Sequence, residues 1–312
     1  MQYIILIAAI SGIVMYLAYQ PLCGYVRAYQ EKSAAGMTKR EKKKFVSMPV
    51  MFEQSGKKEL EKGKYVLIAV MAAGLIVRLI AAASYRGYEV DMNCFLAWAD
   101  MVFDNGISGF YGLNAFTDYP PGYMYILYVI GAIRSIFGIA QASTLSIVLT
   151  KLPAILCDMG IAWLIYKIAC NRIKETGAAI LAGIYLITPA ILLDSAIWGQ
   201  VDSVFTLCIV LMCYLITEKK LIPSYFVFAI GILIKPQSLI FTPVLIFGIV
   251  DQIFIQSYQE DERSVFYKKF WTNLGCGILA ILMIGLLMLP FGFQDAFAQY
   301  TDTISSYPYA SV

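Results

Sequence analysis

Long apolar segments separated by short polar ones run along almost the whole chain. Several of them approach the roughly 20 residues that a helix needs to cross a bilayer. Because a bilayer admits only helices or closed barrels, long unbroken apolar runs favour helices. The pattern therefore predicts an all-α polytopic membrane protein with about nine transmembrane helices. The runs lie at 2–20, 65–83, 123–140, 146–166, 178–197, 203–217, 221–234, 238–255 and 272–291.

Composition supports this interpretation and narrows the chemistry. Of the 312 residues, 60% are hydrophobic and 14% are charged, whereas soluble domains are about one quarter charged. The net charge of +3 does not indicate a nucleic-acid partner. The seven cysteines form no CxxC pair, and the chain contains no histidine, which argues against histidine acid–base catalysis and the common zinc sites.

The distribution of charge predicts the orientation in the membrane. Segment 21–64 holds eleven Lys/Arg and five acidic residues, including "KREKKK", whereas segment 84–122 holds one arginine and five acidic residues. By the positive-inside rule, 21–64 is a cytoplasmic loop and 84–122 is extracytoplasmic. The predicted organisation is an extra N-terminal transmembrane helix at 1–20, this basic loop, a membrane module at 65–293 and an external tail at 294–312.

The external loop 84–122 directly follows the second predicted helix. Within it, Phe95, Trp98 and Val102 recur at helical spacing, which predicts a surface helix over 91–106 that ends at Asn105-Gly106. Two full crossings between this loop and Lys167 would place that lysine on the wrong side of the membrane. Either 123–140 is a re-entrant or broken element, which we favour, or the positive-inside rule is violated once.

Four polar clusters fall on the extracytoplasmic side under this topology. Ionisable groups near a membrane core cost a few kcal/mol each, so they usually face a polar cavity or a partner. A purely structural ion pair would explain any single cluster, but four on one side favour a functional site. The clusters are Glu89 with Asp91, Asp118-Tyr119-Pro120-Pro121, Trp198 and Gln200 with Asp202, and Lys235 with Gln237.

Two of these residues suggest chemistry. Asp91, fixed by the aromatic residues of its helix, is the candidate general base for a hydroxyl nucleophile, and Glu89 is its support or a ligand contact. Lys235 precedes a proline at a break in the apolar run, where its cation could hold a phosphate. Asp202 also fits as the N-cap of the following helix, and Arg78 is expected to extend to the external interface.

Four segments resemble a known superfamily. "YEVDMNCFLAWAD", "DYPPGYMY", "LLDSAIWGQVDSVF" and "GILIKPQSL", in this order and spacing, resemble the GT-C integral-membrane glycosyltransferases, in particular the bacterial group related to the second mannosyltransferase of GPI-anchor synthesis. A looser likeness is to dolichyl-phosphate-glucose-dependent glucosyltransferases. The resemblance covers roughly 65–290. Relatives usually continue with further helices, so the chain is expected to be truncated.

The resemblance implies a GT-C-like fold in the cell membrane with its active site on the extracytoplasmic face. It implies transfer of a hexose, with mannose as the first candidate, from a polyprenyl-phosphate-linked donor with inversion. Asp91 would be the catalytic acidic residue of the first long loop. The acceptor would be a glycan, a lipid or a protein.

The charge on the leaving group indicates whether the reaction needs a metal cofactor. A lipid monophosphate leaves with less charge than a nucleotide diphosphate, so no cofactor is expected and a divalent metal is neither required nor excluded. Glu89, Tyr119, Trp198, Gln200, Asp202, Lys235 and Gln237 are the candidate donor-binding residues. Membrane lipids are the other expected partners.

Two other functions are compatible with the pattern. A transporter or lipid-linked-sugar flippase would use the broken helices at 198–202 and 235–237 as its substrate site. The chain has no internal repeat, and its polar groups gather at one face instead of the midplane, which argues against transport. A non-catalytic membrane scaffold would have no use for Asp91 and Lys235.

Overall fold

The architecture was analysed in a computed structural model. The predicted helix at 2–20, most of the basic loop 21–64 and most of the tail 294–312 lie outside the residues that it describes. The described residues are 57–113, 116–171, 173–255, 263–292, 294–298 and 301–302.

The described chain is entirely helical in its regular structure, with 86% of residues in helices and no strand. This confirms the all-α class. Nine helices of eight or more residues follow one another along these ranges. They are α1 (Lys57–Ser84), α2 (Glu89–Asp104), α3 (Pro121–Ile136), α4 (Thr144–Cys170), α5 (Glu175–Ile187), α6 (Asp202–Thr217), α7 (Leu221–Ile234), α8 (Thr242–Ile249) and α9 (Arg263–Met288).

Shorter helical segments connect some of these helices. Two of them are π-helical, with wider turns than an α-helix. The short segments are Gly106–Gly109, Tyr111–Leu113, Pro189–Leu192, Leu193–Trp198, Pro236–Phe241, Val250–Ile255 and Leu289–Phe291.

Four helices in the described ranges are long and apolar enough to cross a membrane. A fifth span arises if Glu175–Ile187 and Pro189–Trp198, which are bent by 54° at Thr188, form one crossing. Proline at 189 explains the bend, because its ring disfavours helical backbone in the preceding residue. The described residues thus support a multi-span membrane protein and do not confirm the predicted nine spans. The four are Gly63–Ser84, Thr144–Cys170, Pro236–Ile253 and Phe266–Phe291.

The segment 123–140 has no break within its helical part. Residues 123–136 belong to α3, a continuous helix of 16 residues that begins at Pro121, where proline is tolerated because the first N–H of a helix has no partner. Residues 137–140 follow the end of this helix. The helix is not among the candidate spans. It packs against α2, and Phe95 meets Tyr123 edge-on with ring centroids 5.6 Å apart.

Small residues bring α1 and α5 together. Ala178, Ala179 and Ala182 of α5 are fully buried in a cluster that includes Val66 and Val70 of α1. Short side chains permit close helix–helix approach, which is how helices associate in a lipid environment. This packing places the first half of α1 beside α5.

A second apolar cluster is formed by residues of α2, α3 and α6. Phe95 and Trp98 of α2, Tyr123 of α3 and Val204 of α6 are each at most 5% exposed and belong to one core cluster. These helices contribute from points more than 100 residues apart in sequence. The cluster therefore sets the relative positions of polar residues on or next to these helices, such as Asp91, Tyr119 and Asp202.

Candidate functional site

The carboxylate of Asp91 is held by the corner between α5 and α6. Its Oδ2 accepts hydrogen bonds from Trp198 Nε1 at 3.1 Å and from Gln200 Nε2. These donors lie 107 and 109 residues away in the sequence. Both bonds reach the same oxygen, so in the described part of the chain Oδ1 receives no side-chain donor.

A π-helical turn shapes the corner that supplies these donors. Residues Leu193–Trp198 form this turn, and Gly199 ends it with φ 90°. The amides of Gly199 and Gln200 both donate to the carbonyl oxygen of Asp194, at 2.9 and 3.0 Å. Glycine is required at 199 because other L-residues rarely adopt this left-handed conformation. The turn sends Trp198 outward, where it is 48% exposed.

Asp202 and Lys235 form an ion pair beside this corner. The side chains are 44% and 19% exposed, respectively. The expected N-cap role of Asp202 is wrong: Val201 is the N-cap, and α6 begins at Asp202 without a side-chain cap. The carboxylate still lies in the first helical turn, where a negative charge is favourable, but its partner is the lysine.

Tyr119 lies between the helix that carries Asp91 and the ion pair of Asp202 with Lys235. Its ring lies 5.9 Å from that of Trp98, and Lys235 Nζ is 6.0 Å from its centroid. Burial raises the pKa of Tyr119 above its ordinary value, and the carboxylates of Asp118, Asp202 and Asp91 raise it further. The phenol therefore stays protonated and can donate a hydrogen bond.

The remaining predicted residues lie at the margin. Glu89 and Gln237 are exposed, and in the described ranges neither makes a hydrogen bond to the residues around Asp91. Asp118 is near enough to raise the pKa of Tyr119. The structure thus brings together Asp91, Tyr119, Trp198, Gln200, Asp202 and Lys235, whereas Glu89 and Gln237 do not contact them.

A buried polar network lies under the corner. Asp158 of α4 accepts hydrogen bonds from Arg78 Nε at 3.2 Å, Ser195 Oγ at 2.5 Å and Ser203 Oγ at 2.7 Å. Arg78 and Asp158 are fully buried. The expectation that Arg78 extends to the interface is therefore wrong, because its guanidinium is used inside the protein.

Two buried charged residues of α4 were not singled out in the sequence. Asp158 and Lys151 both lie in α4, seven residues apart, and are fully buried. Residues at this spacing share a helix face. Both side chains form hydrogen bonds with the segment 194–203, Lys151 with Ala196 and Asp158 with Ser195. A lone charge in an apolar run is itself a signal of an interior polar role, which could have identified them.

Comparison with known proteins gives one finding at the family level. Residues 99–306, two thirds of the chain, match the family described as GPI transamidase subunit PIG-U. No curated protein and no solved structure matches the chain. The matched range includes the corner and Lys235 but begins eight residues after Asp91. The match is not to a GPI mannosyltransferase, which the sequence resemblance favoured. The chain belongs to the PIG-U family of membrane proteins.

Proposed function

We propose that this protein is an integral-membrane hexosyltransferase that uses a polyprenyl-phosphate-linked donor, with mannose as the first sugar to test. The observation that carries the proposal is the position of the Asp91 carboxylate. It is oriented by Trp198 and Gln200 through one oxygen, and Asp202, two residues after Gln200, pairs with the cation of Lys235. A base and a cation on one partly exposed surface match the two needs of glycosyl transfer.

The proposed reaction is a single displacement with inversion. The acceptor hydroxyl gives its proton to Asp91 Oδ1 as its oxygen attacks the anomeric carbon, and the bond from that carbon to the phosphate oxygen breaks. The polyprenyl phosphate leaves with the bonding electrons. Lys235 then stabilises the charge that develops on the phosphate, since a cation held in place before the reaction needs no reorganisation.

An apolar cavity of about 420 Å³ supports a lipid-linked donor. Phe228, Ala229 and Ile232 of α7 line one side, and Ile278 and Ile281 of α9 line the other. The α7 residues share one helix face, and α7 ends at Ile234, directly before Lys235. We propose that a polyprenyl tail occupies this cavity while its phosphate reaches Lys235.

Family membership favours a second candidate. As a relative of a transamidase subunit, the chain would bind a lipid-linked glycan for another protein to process. Its own residues do not support transamidation chemistry, because the 312 residues contain no histidine to activate a thiol. Burial raises the pKa of Cys94, the thiol beside Asp91, and the charges of Asp118 and Asp91 raise it further. The reactive thiolate is therefore disfavoured there.

The test uses the full chain in lipid nanodiscs with radiolabelled polyprenyl-phosphate mannose or glucose and a membrane lipid extract as acceptor. Asp91→Asn keeps the size of the side chain and removes its basicity. Asp104→Asn, at the exposed far end of the same helix, is the matched control. General-base catalysis contributes about 10²- to 10⁴-fold, so transfer should fall by that factor only in Asp91→Asn. Each reaction is repeated with EDTA, which we expect to have no effect.

Three other outcomes would refute the proposal. Equal transfer by both variants would remove Asp91 as the base. Saturable binding of the labelled lipid, without transfer by any form of the protein, would favour the glycolipid-binding subunit. Movement of the label across liposome membranes without transfer would favour a flippase.

A further inference from the structure

Lys151 is a buried cation without a carboxylate partner among the described residues. It lies in α4 with a relative exposure of 0%. Its Nζ donates to the backbone oxygens of Tyr85 at 2.7 Å, Ala196 at 3.1 Å and Ile197 at 2.8 Å. An ammonium group has three N–H donors, so these carbonyls use its full capacity.

The three carbonyls belong to the two segments that build the site. Tyr85 lies between α1 and α2, six residues before Asp91, while Ala196 and Ile197 directly precede Trp198. Burying an ammonium costs several kcal/mol, and three charge-assisted hydrogen bonds offset that cost. The bonds all go to backbone, so the lysine fixes the course of both segments where they meet.

Besides sharing Lys151, the two backbones touch directly at Gly87 and Trp198. A Cβ on Gly87 would lie 2.2 Å from the carbonyl oxygen of Trp198, and the amide of Tyr88 donates to that oxygen at 3.4 Å. A Cβ on Gly199 would lie 3.2 Å from Lys151 Cε. The junction has little free space, so a shift of either segment moves Trp198 relative to Asp91.

We infer that Lys151 is a positioning residue that holds Trp198 and Gln200 against the Asp91 carboxylate. It contacts neither the carboxylate nor the surface where a substrate would bind, and it acts through backbone atoms. Its importance for catalysis rests on the proposed function, but the geometric role does not depend on it. Without the ammonium, three carbonyl oxygens lose their donor and the two segments separate.

The test measures the environment of Trp198 directly. The chain has four tryptophans, so protein labelled with 5-fluorotryptophan gives four ¹⁹F resonances in detergent micelles, and Trp198→Phe assigns one of them. Lys151→Met should shift or broaden the Trp198 resonance while the helix content stays unchanged. Asp91→Asn, which alters the partner of the indole, should move the same resonance.

Lys167→Met is the matched control, because Lys167 lies exposed at the other end of α4. Its Nζ is 5.4 Å from the ring of Trp163, so this variant should move the Trp163 resonance and leave that of Trp198 in place. An unchanged Trp198 resonance in folded Lys151→Met would overturn the inference. If Lys151→Met does not fold, Lys151→Gln, which keeps an amide donor, replaces it. If neither variant folds, Lys151 is required for the fold as a whole, and the positioning role is rejected.

Activity separates this inference from the proposed function. If the wild-type protein transfers sugar, Lys151→Met should lower kcat about 100-fold, the scale expected for a misplacement of about 1 Å, and should change the donor KM little. If no form of the protein transfers sugar but the resonance moves, the proposed function fails and the role of Lys151 stands. If Lys151→Met transfers sugar normally and its Trp198 resonance does not move, the positioning role of Lys151 is rejected and the proposed function stands.

Discussion

Replacing Asp158 by alanine should destabilise the protein strongly, because this carboxylate balances a buried charge. Arg78 and Asp158 are both fully buried, and Tyr185, Ser195 and Ser203 donate to the same carboxylate. Its four partners come from α1, α5, the π-helical turn and α6. Asp158 therefore ties α4 to elements on both sides of the corner.

The size of the effect follows from the burial of the pair. Removing one partner of a buried ion pair costs about 3–5 kcal/mol, since the other charge remains uncompensated. Asp158→Ala should lose that amount, because Arg78 retains only neutral acceptors such as the carbonyl of Leu186 at 2.8 Å. Arg78→Met should lose less, because three hydroxyl donors still stabilise the carboxylate. The double variant should lose at least about 1 kcal/mol less than the sum of the two single changes.

The free energy of unfolding would be measured by titration with sodium dodecyl sulfate in mixed micelles, followed by tryptophan fluorescence. Asp251→Ala is the control, since it removes an acid from a solvent-accessible pair, in which Lys219 is 59% and Asp251 28% exposed. Exposed pairs contribute about 0–1 kcal/mol. A loss from Asp158→Ala no larger than that of the control, or strict additivity in the double variant, would refute the reasoning.

Three further predictions concern the site and its surroundings. Gly122→Ala should destabilise the fold, because the new Cβ would lie 2.6 Å from a backbone oxygen of α7. Gly112→Ala should not destabilise it, because nothing lies within 4 Å of that Cβ. Thermal unfolding in detergent compares the two variants. Lys235→Met should weaken binding of the polyprenyl-phosphate donor about 10- to 100-fold, the value of a charge-assisted hydrogen bond, whereas Asp202→Asn, which releases the lysine, should not; equal losses would contradict a phosphate site. The pKa of Tyr119 is raised above 10 in the folded protein, so above pH 10 the phenol loses its proton only in the unfolded chain. The free energy of unfolding should therefore fall as the pH rises past 10, and Tyr119→Phe should show a smaller fall.

The sequence predicts the helical class and the grouping of the polar clusters from simple rules. Charge asymmetry and the alternation of apolar runs place Asp91, Gln200 and Lys235 on one side of a membrane, and the structure brings these residues into one neighbourhood. Their spacing in the chain gives no hint of which pairs touch. Those pairs depend on how α2 packs against the corner between α5 and α6, and on how α6 packs against α7.

The individual roles of charged residues were harder to predict. Asp202 has the residue type and position of an N-cap, but Lys235 is a stronger partner than a backbone amide and takes the carboxylate. Arg78 is long enough to reach an interface, but Asp158 lies closer on the neighbouring helix. In both cases a contact distant in sequence overrides a local preference, and local patterns contain no information about such contacts.

The π-helical turn at Leu193–Trp198 makes this corner sensitive to chain length. A π turn holds one residue more than an α turn, so deleting a single residue between 193 and 198 would let the segment relax into an ordinary α-helix. Each residue of an α-helix advances by about 100° around the axis, and the deletion would rotate the indole of Trp198 by that amount, away from Asp91. We therefore expect this stretch to tolerate no change in length.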